Sequence, residues 1–260
     1  MRRAYADIPA GQMHYRYTAG GKPPVICLHI SGSGSGEYER VGDMLADKFT
    51  VYALDMLGMN FSDPPPRLYS LSEHASTVVD FMDKLALPRV ILIGTLCGAN
   101  IATHVAAGWP DRVSKLILAQ PVHMPEQKDM HRRKALYDPV QYTADGSYAL
   151  EFWRRVDKYG YPPAINMPRV TDQILSGPEY SEILHWAMFA DEDLAGLYPK
   201  IQCPTTVLRY ELYAGSPEGP YAGLVASMIP GAGLDTILGE TIYASRSNPV
   251  KVAAMLRKHL

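Results

Sequence analysis

The fold is decided by the stretch Val90-Ile91-Leu92-Ile93-Gly94-Thr95-Leu96-Cys97-Gly98-Ala99-Asn100-Ile101-Ala102. It begins with a short apolar run, which is typical of a strand buried in a parallel sheet. Gly94 and Gly98 bracket a sharp turn, since glycine tolerates the backbone conformations that such turns need. The residues after the turn favour a helix. The stretch therefore predicts a strand, a tight turn with Leu96 at its tip, and a helix.

Apolar runs and helical patterns alternate along most of the chain. After an apparent hairpin in residues 4–17, strand-like runs lie at 25–28, 49–54, 113–119, 204–210 and 226–229. Helical spacing separates several of them, as at 71–85. Such alternation predicts a doubly wound, mostly parallel α/β sheet with its ligand crevice at the carboxyl ends of the strands. We expect the loops that follow the strands to meet at one pocket; these are residues 29–36, 55–66, 95–98, 210–216 and 231–236.

The pattern changes between residues 122 and 198. Charged residues, prolines and aromatic residues alternate there with short helical segments, which is not the pattern of a continuing sheet. We therefore expect residues 1–121 and 199–260 to form an α/β core domain. Residues 122–198 are expected to form a helical cap (lid) inserted into it, above the pocket.

Composition excludes several classes of function. The chain has 260 residues, of which 47% are hydrophobic and 20% charged, and this is ordinary for a globular protein with a large core. A net charge of −2 gives no basic surface for nucleic acid or for an anionic membrane. Cys27, Cys97 and Cys203 lack metal-ligand spacing. We expect a soluble, cytoplasmic monomer or homodimer that binds an apolar small molecule and uses no metal, cofactor, nucleic acid or membrane.

Six segments together resemble the α/β-hydrolase family, in the family's order and spacing. Residues 25–32 are similar to its strand and His-Gly oxyanion loop, with Ile30 in place of glycine. Residues 55–62 are similar to its Asp-x-x-Gly-x-Gly-x-Ser turn, with Asn60 in place of the second glycine. The remaining similarities are residues 94–98 to Gly-x-Ser-x-Gly, 109–113 to Tyr-Pro-Glu-Arg-Val, 204–213 to the strand and loop of the catalytic acid, and 230–233 to the Pro-x-x-Gly before the histidine. The resemblance implies an α/β-hydrolase fold, with an eight-stranded sheet and an inserted helical cap.

The family's catalytic triad has no counterpart in this chain. The resemblance places the nucleophile at Leu96, the acid at Tyr213 and the histidine at Leu234. Triad chemistry needs a nucleophile, a base that deprotonates it and a carboxylate that orients the base. None of these three groups is present, so we interpret the triad as degenerate and the pocket as adapted to apolar contact with a ligand.

Several polar side chains near the expected pocket are candidates for a catalytic role. His29 adjoins the oxyanion loop, where the family uses such a ring structurally, and an acid/base role for it stays open. A tyrosine hydroxyl after the 204–210 strand is able to donate a hydrogen bond to a carbonyl or an enolate. A histidine in the cap and a carboxylate beside Leu234 complete the set. The candidates are His29, Tyr210, Tyr213, His185 and Asp235.

The backbone of an oxyanion-type site does not depend on the missing side chains. Amides at a helix N-terminus, here those of Cys97 and Gly98, favour negative charge, and the resemblance adds the amide of Ser31 or Ile30. A polarised carbonyl is therefore expected to bind over Leu96. We expect ligand contacts from Ile30, Ser31, Thr95, Leu96, Cys97, Gln120, Trp186 and Leu234.

Three functions are compatible with this sequence. The first is a cofactor-free, non-hydrolytic enzyme, of the cyclase, pericyclase, lyase or isomerase type, acting on a mostly apolar metabolite such as one of secondary metabolism. The second is an esterase-like hydrolase in which non-standard residues, His29 or His185, activate water. The third is a catalytically inactive protein that binds a ligand or a partner. The retained glycine-rich loops favour the first, because a pure scaffold has less need of them.

Overall fold

The computed structural model describes residues 1–123, 140–157, 160–177, 179–190, 194–213 and 221–260. An eight-stranded sheet with the order β1-β2-β4-β3-β5-β6-β7-β8 forms its centre. The strands are β1 (Arg2–Ile8), β2 (Gly11–Tyr17), β3 (Pro24–Leu28), β4 (Thr50–Leu54), β5 (Val90–Thr95), β6 (Val113–Ala119), β7 (Thr205–Tyr210) and β8 (Gly233–Ile237). Strand β2 pairs antiparallel with β4, β1 pairs antiparallel with β2, and the other six strands run parallel to one another. The predicted eight-stranded, mostly parallel sheet is confirmed.

Helices connect the parallel strands. In the described part of the chain they are α1 (Glu39–Leu45), α2 (Leu71–Lys84), α3 (Cys97–Gly108), α4 (Ser147–Asp157), α5 (Pro163–Ser176), α6 (Ile183–Ala190), α7 (Leu194–Leu197), α8 (Tyr221–Met228), α9 (Ala244–Ser247) and α10 (Pro249–His259). Sequence signals mark some of their ends. Ser70 and Glu73 form a capping box at the start of α2, in which each side chain bonds the other residue's backbone N–H.

The chain reverses its winding direction around β3, and this places the crevice. It passes from β3 to β4 on one side and then crosses to β5 on the other. The loops after β3 and β5 therefore diverge at the switch point, where doubly wound sheets bind their ligands. Every residue of β5 is buried, as expected for a central parallel strand covered on both faces.

The turn between β5 and α3 has strained backbone at its tip. Leu96 has φ 48° and ψ −114°, a region that non-glycine residues rarely adopt. A Cβ at Gly98 would lie 2.3 Å from the Leu28 carbonyl oxygen, and one at Gly94 would lie 2.2 Å from the Gly98 carbonyl oxygen. Both glycines are therefore required, because helix α3 starts directly against the end of β3.

The prediction of a strand at residues 226–229 is wrong. Residues Tyr221–Met228 form helix α8, and Ala222, Val225 and Ile229 form its buried face at helical spacing. The last strand, Gly233–Ile237, begins five residues after the end of α8 at Met228. The stretch 231–236, expected to be a loop that follows a strand, therefore largely belongs to β8, and the loop begins after Ile237.

The described residues between β6 and β7 form helices α4 to α7. Their assignment to a separate cap covering 122–198 stays a prediction. Residues 124–139, at its start, lie outside the described residues, as do residues 214–216 of the loop expected after β7. No helix in the described ranges is both long and apolar enough to cross a membrane.

A Gly98→Ala substitution is expected to lower the free energy of unfolding by about 2–4 kcal/mol, because the new methyl group meets backbone that cannot retreat. Gly108→Ala, in the same helix, is the matched control, since a Cβ there meets no atom within 4 Å. The control should change stability by at most about 1 kcal/mol. Urea unfolding of the two variants measures both effects, and equal stabilities would contradict the close approach of α3 to β3.

Candidate active site

The tip of the turn and the first residues of α3 form the floor of the candidate site. Leu96 is 8% exposed, and its backbone N–H donates to the Ala119 carbonyl at the end of β6 (3.0 Å). The Cys97 thiol is buried and lies 3.7 Å from the thioether sulfur of Met188, in helix α6. Helix α6 therefore covers the start of α3, and the thiol is packed against it.

The loop after β3 forms one wall of the site. The Ile30 N–H donates to Glu37 Oε2 at 3.1 Å, so this amide is already used inside the protein. The Ser31 N–H has no acceptor among the residues that the structure describes. Of the two amides left open by the sequence, that of Ser31 is therefore the one available to a ligand.

His29 is fully buried beneath this loop, with both ring nitrogens in hydrogen bonds to backbone. Its Nδ1 lies 2.7 Å from the Ile30 carbonyl oxygen, and the Met56 N–H donates to its Nε2 at 3.1 Å. Because Nε2 accepts, the proton lies on Nδ1 and the ring is neutral. Burial lowers the pKa of His29, which keeps the ring in this form. The ring thereby links the loop after β3 to the loop after β4.

Hydroxyl groups cluster directly below the floor. The Tyr38 hydroxyl lies 2.5 Å from Thr95 Oγ1. The Tyr210 hydroxyl lies close to the side chains of Thr95 and Ser245. Burial is the main reason why the pKa of both tyrosines lies above the ordinary value, and the nearby Glu37 carboxyl raises it further. Both phenols are therefore neutral at physiological pH and act as hydrogen-bonding groups.

Gln120 joins the ends of β6 and β7 at the back of the site. Its N–H donates to the Leu208 carbonyl at 2.7 Å, and its Oε1 accepts the Tyr210 N–H at 3.0 Å. Its φ of 50° lies in the left-handed region. Strained backbone that is held by several hydrogen bonds is common at functional sites.

A buried cluster of two carboxyls and one guanidinium lies behind the loop after β3. Arg246 donates to Asp172 and to Ser33 Oγ (3.0 Å), and Ser33 Oγ lies 3.4 Å from Asp172 Oδ2. Burial raises the pKa of Glu37 to about 7, while Arg246 and the Ile30 N–H oppose this shift. Burial likewise raises the pKa of Asp172 to about 6, against Arg246. The site thus borders on carboxyls that titrate close to neutral pH.

Helix α5 covers the loop after β3 with a polar face. Its buried residues lie at helical spacing and include Asn166, Arg169, Gln173 and Ser176, whereas Met167, Ile174 and Leu175 face outward. Arg169 donates to the Tyr243 hydroxyl at 2.6 Å and stacks on its ring, 3.6 Å from the centroid. Ser176 Oγ accepts the Asn60 N–H at 3.0 Å. These contacts fix α5 to the loops that follow β4 and β8.

His185, in helix α6, forms a hydrogen bond with Glu182, which lies just before that helix. The distance from His185 Nδ1 to Glu182 Oε2 is 2.5 Å, and Arg155 Nη1 lies 3.8 Å from Glu182 Oε1. Trp186 follows on the same helix and is half-buried. Tyr213 ends a 3₁₀ turn directly after β7 and is also half-buried against the core.

Two of the predicted site residues lie away from this group. Leu234 is in β8 opposite Val207, and its side chain is 46% exposed. Asp235 accepts hydrogen bonds from Lys258 Nζ (2.7 Å) and His259 Nε2 (2.9 Å) at the end of α10. The Lys258 bond is the main reason why the pKa of Asp235 falls to about 2. The structure brings together Ile30, Ser31, Thr95, Leu96, Cys97, Gln120 and Tyr210, with α6 above them.

Sequence reasoning missed the buried polar residues that surround this group. Glu37, Asp172, Gln173 and Arg246 lie in segments whose pattern indicates solvent-exposed loops or helices. The available signal was the spacing 166, 169, 173 and 176, which places four polar residues on one helical face. Within the described ranges, no group of three or more His, Cys, Asp or Glu is arranged to hold a metal ion.

Comparison with known proteins agrees with this architecture. The family model for the alpha/beta hydrolase fold matches residues 23–152. The pimeloyl-[acyl-carrier protein] methyl ester esterase of Chromobacterium violaceum is 28% identical over 223 residues, which cover 81% of this chain and 84% of the esterase. A hydrolase structure from Pseudomonas aeruginosa superposes with a TM-score of 0.81 at 20% identity, covering 99% of this chain and 98% of that one.

Other relatives match over a shorter stretch. Haloalkane dehalogenase 2 of Mycobacterium tuberculosis is 33% identical over 113 residues, which cover 43% of this chain and 39% of the dehalogenase. The chain spans 29% to 39% of the length of the first curated relatives that it matches. The match to the dehalogenase is thus confined to less than half of either protein.

The buried Glu37 makes stability depend on pH in a defined direction. Its pKa rises from 4.5 to about 7 on folding, so the folded protein keeps a proton that the unfolded chain releases. The contribution of Glu37 to the free energy of unfolding should therefore fall as pH rises between these two values and then level off. Glu37→Gln should flatten this fall, whereas Glu39→Gln, at the half-exposed carboxylate that pairs with Arg16 (2.8 Å), should retain it. Urea unfolding at several pH values measures the slope, and an identical slope in Glu37→Gln and wild type would contradict the assignment.

Proposed function

Because this chain belongs to the α/β-hydrolase fold family but carries leucine at the tip of its β5–α3 turn, we propose that it is a cofactor-free, non-hydrolytic enzyme acting on a mostly apolar carbonyl compound. The observation that carries the proposal is Leu96 itself. It occupies the strained, buried position that presents the nucleophile in hydrolases of this fold. A leucine side chain has no atom that attacks a carbonyl, yet the surrounding backbone keeps its shape.

The backbone around Leu96 supports a role in stabilising negative charge. The Ser31 N–H belongs to the loop after β3, the N-terminus of α3 packs against the end of the same strand, and a helix N-terminus favours an anionic group. A substrate carbonyl oxygen bound there gains negative charge when the adjacent carbon loses a proton or a carbon–carbon bond breaks. Fixed amides stabilise such an enolate without any reorganisation. Leu96 supplies an apolar contact beneath the substrate and keeps water from the carbonyl carbon.

This arrangement supports reactions that pass through an enolate or need a folded substrate. Isomerisation, cyclisation and carbon–carbon bond cleavage all belong to this class. In each of them the oxygen stabilised by the amides carries the charge, while no acyl-enzyme forms. Positioning and electrostatic stabilisation then account for the rate enhancement.

The mass balance of the reaction tests this proposal. Purified protein is incubated with a panel of apolar ketones, esters and lactones in water enriched in heavy oxygen, and the products are measured by mass spectrometry. We expect products that keep the substrate's mass or lose a fragment, with no heavy oxygen incorporated at the carbonyl. Leu96→Met should retain turnover, whereas Leu96→Asp should lower it by at least about tenfold, because a carboxylate would occupy the amides and repel an enolate.

Products that gain one water, with heavy oxygen in a new carboxylate, would contradict the proposal. So would full activity in Leu96→Asp, since the substrate carbonyl would then bind elsewhere. A variant that loses activity because it unfolds is recognised by a lowered melting temperature. The Leu96→Met variant provides the reference value for this comparison.

A second candidate function, ester hydrolysis, is favoured by the pair His185 and Glu182. A carboxylate 2.5 Å from an imidazole Nδ1 orients the ring and stabilises its protonated form, as in hydrolases that activate water or a nucleophile. The named relatives of this chain include an esterase and a dehalogenase. In this alternative, His185 would activate a water molecule above Leu96.

Turnover of p-nitrophenyl esters separates the two candidates. Under the first proposal, wild type, His185→Gln and Glu182→Gln all show the same background rate. Under the second, wild type shows clear turnover, and each substitution lowers it by about a hundredfold or more, the usual contribution of a general base. His259→Gln, at the distant pair with Asp235, is the matched control and should leave any turnover unchanged.

A further inference from the structure

Two polar side-chain oxygen atoms beside the loop after β3 are buried and have no hydrogen-bonding partner in the described part of the chain. Ser31 is 9% exposed and Gln173 is 8% exposed. Ser31 Oγ and Gln173 Oε1 form no hydrogen bond with any residue that the structure describes. A buried polar group left in this state costs about 1–3 kcal/mol, so proteins seldom retain one without a use.

The Gln173 carboxamide comes from helix α5 and lies on the loop after β3. A Cβ at Gly32, whose φ is 66°, would lie 3.0 Å from Gln173 Nε2 and 3.6 Å from its Cδ. A side chain at position 32 would crowd the carboxamide, and the positive φ also favours glycine there. Since Gly32 follows Ser31 directly, the carboxamide and the Ser31 hydroxyl flank the same part of the site.

Contacts on both sides of Gln173 keep it in place. Its neighbour Asp172 is bonded to Arg246 and lies 3.4 Å from Ser33 Oγ. One turn further along, Ser176 accepts the Asn60 N–H, and Asn60 donates to the Ser33 carbonyl at 3.0 Å. The acceptor on Gln173 is therefore preorganised, as a group for ligand recognition should be.

We infer that Ser31 and Gln173 form a subsite for a neutral hydroxyl or enol group that neighbours the substrate carbonyl. This inference rests on the proposed function, because the carbonyl oxygen is held by the Ser31 N–H. The ligand hydroxyl donates to Gln173 Oε1 and accepts from the Ser31 hydroxyl. Ser31 thus contacts both oxygens, so they lie on adjacent or alternate carbon atoms. The substrate class is that of α-hydroxy ketones, β-hydroxy ketones and enolised β-diketones.

The charges around the subsite favour a neutral group over a carboxylate. Glu37 lies behind the same loop through its bond to the Ile30 N–H, and Asp172 precedes Gln173 in α5. The nearby Arg246 is already bonded to Asp172 and Ser33. A ligand carboxylate would meet two carboxyls and a carboxamide acceptor, whereas a hydroxyl satisfies both unpartnered atoms at once.

Matched pairs of ketones test the subsite by binding. The probes are 2-hydroxyacetophenone and its methyl ether, together with an aliphatic pair built in the same way, and their dissociation constants are measured by ligand-observed NMR. Wild type should bind each hydroxy ketone about tenfold more tightly than its ether, the effect of one hydrogen bond to a buried acceptor. In Gln173→Leu this preference should fall to about twofold or less, because only the hydroxyl donates to Gln173 Oε1. Ser31→Ala should weaken the binding of hydroxy ketone and ether alike, because both keep the oxygen that accepts from the Ser31 hydroxyl. Gln202→Leu, an exposed site that precedes β7, is the control and should keep the wild-type preference.

The outcomes separate this inference from the proposed function. Equal binding of ketone and ether by wild type, or a preference that survives in Gln173→Leu, would overturn the subsite and leave carbonyl binding over Leu96 intact. Failure of every ketone to bind, or ketone binding that is unchanged in Leu96→Asp, would overturn both. Since leucine has a similar size and leaves no unpartnered Oε1 atom, the Gln173→Leu variant should fold about as stably as wild type.

Discussion

The close packing of helix α3 against the end of β3 determines the arrangement of this protein's site. A side chain at Gly98 would collide with the Leu28 carbonyl, and one at Gly94 would collide with the first turn of the helix. The two glycines let the chain reverse within a few residues, and the reversal forces Leu96 into a left-handed conformation. The same geometry brings the positive end of α3 next to the Ser31 amide, which lies just past the end of β3. The backbone donors are thus a consequence of packing and do not depend on which side chain stands at position 96.

The other buried polar groups hold the loop after β3 around this point. The His29 ring links it to the loop after β4, and the Glu37 carboxyl takes up the Ile30 amide. Helix α5 then covers the loop with a polar face, and its outward residues are partly apolar. A helix that buries its polar side contributes specificity at the expense of hydrophobic stabilisation. This supports the interpretation that its inner residues are selected for contact with a ligand and the loops.

The sheet and the turn at Leu96 are predictable because their signals are local. Continuous apolar runs mark β3, β5 and β6, and Gly94 and Gly98 mark the turn. The last strand was misplaced because the apolar run that ends at Ile229 is short, and such a run does not distinguish a strand from a buried helical face. The cluster around Glu37 was not predictable, since its members come from three segments that lie far apart in the chain and since buried charged residues have no local sequence pattern. Leu234 illustrates the same limit, as its expected role depended on a loop that proves to be strand β8.

The central claim is that a substrate carbonyl binds over Leu96 to fixed amides and forms no covalent bond with the protein. The most direct test is the NMR spectrum of 2-hydroxyacetophenone labelled at its carbonyl carbon, bound to wild type and to Leu96→Asp. The account predicts a bound carbonyl that remains trigonal and shifts downfield relative to water, because strong hydrogen bonds polarise it, and a loss of this shift in the variant. A bound carbon at the position of a tetrahedral adduct, or a shift equal to that in water, would contradict it.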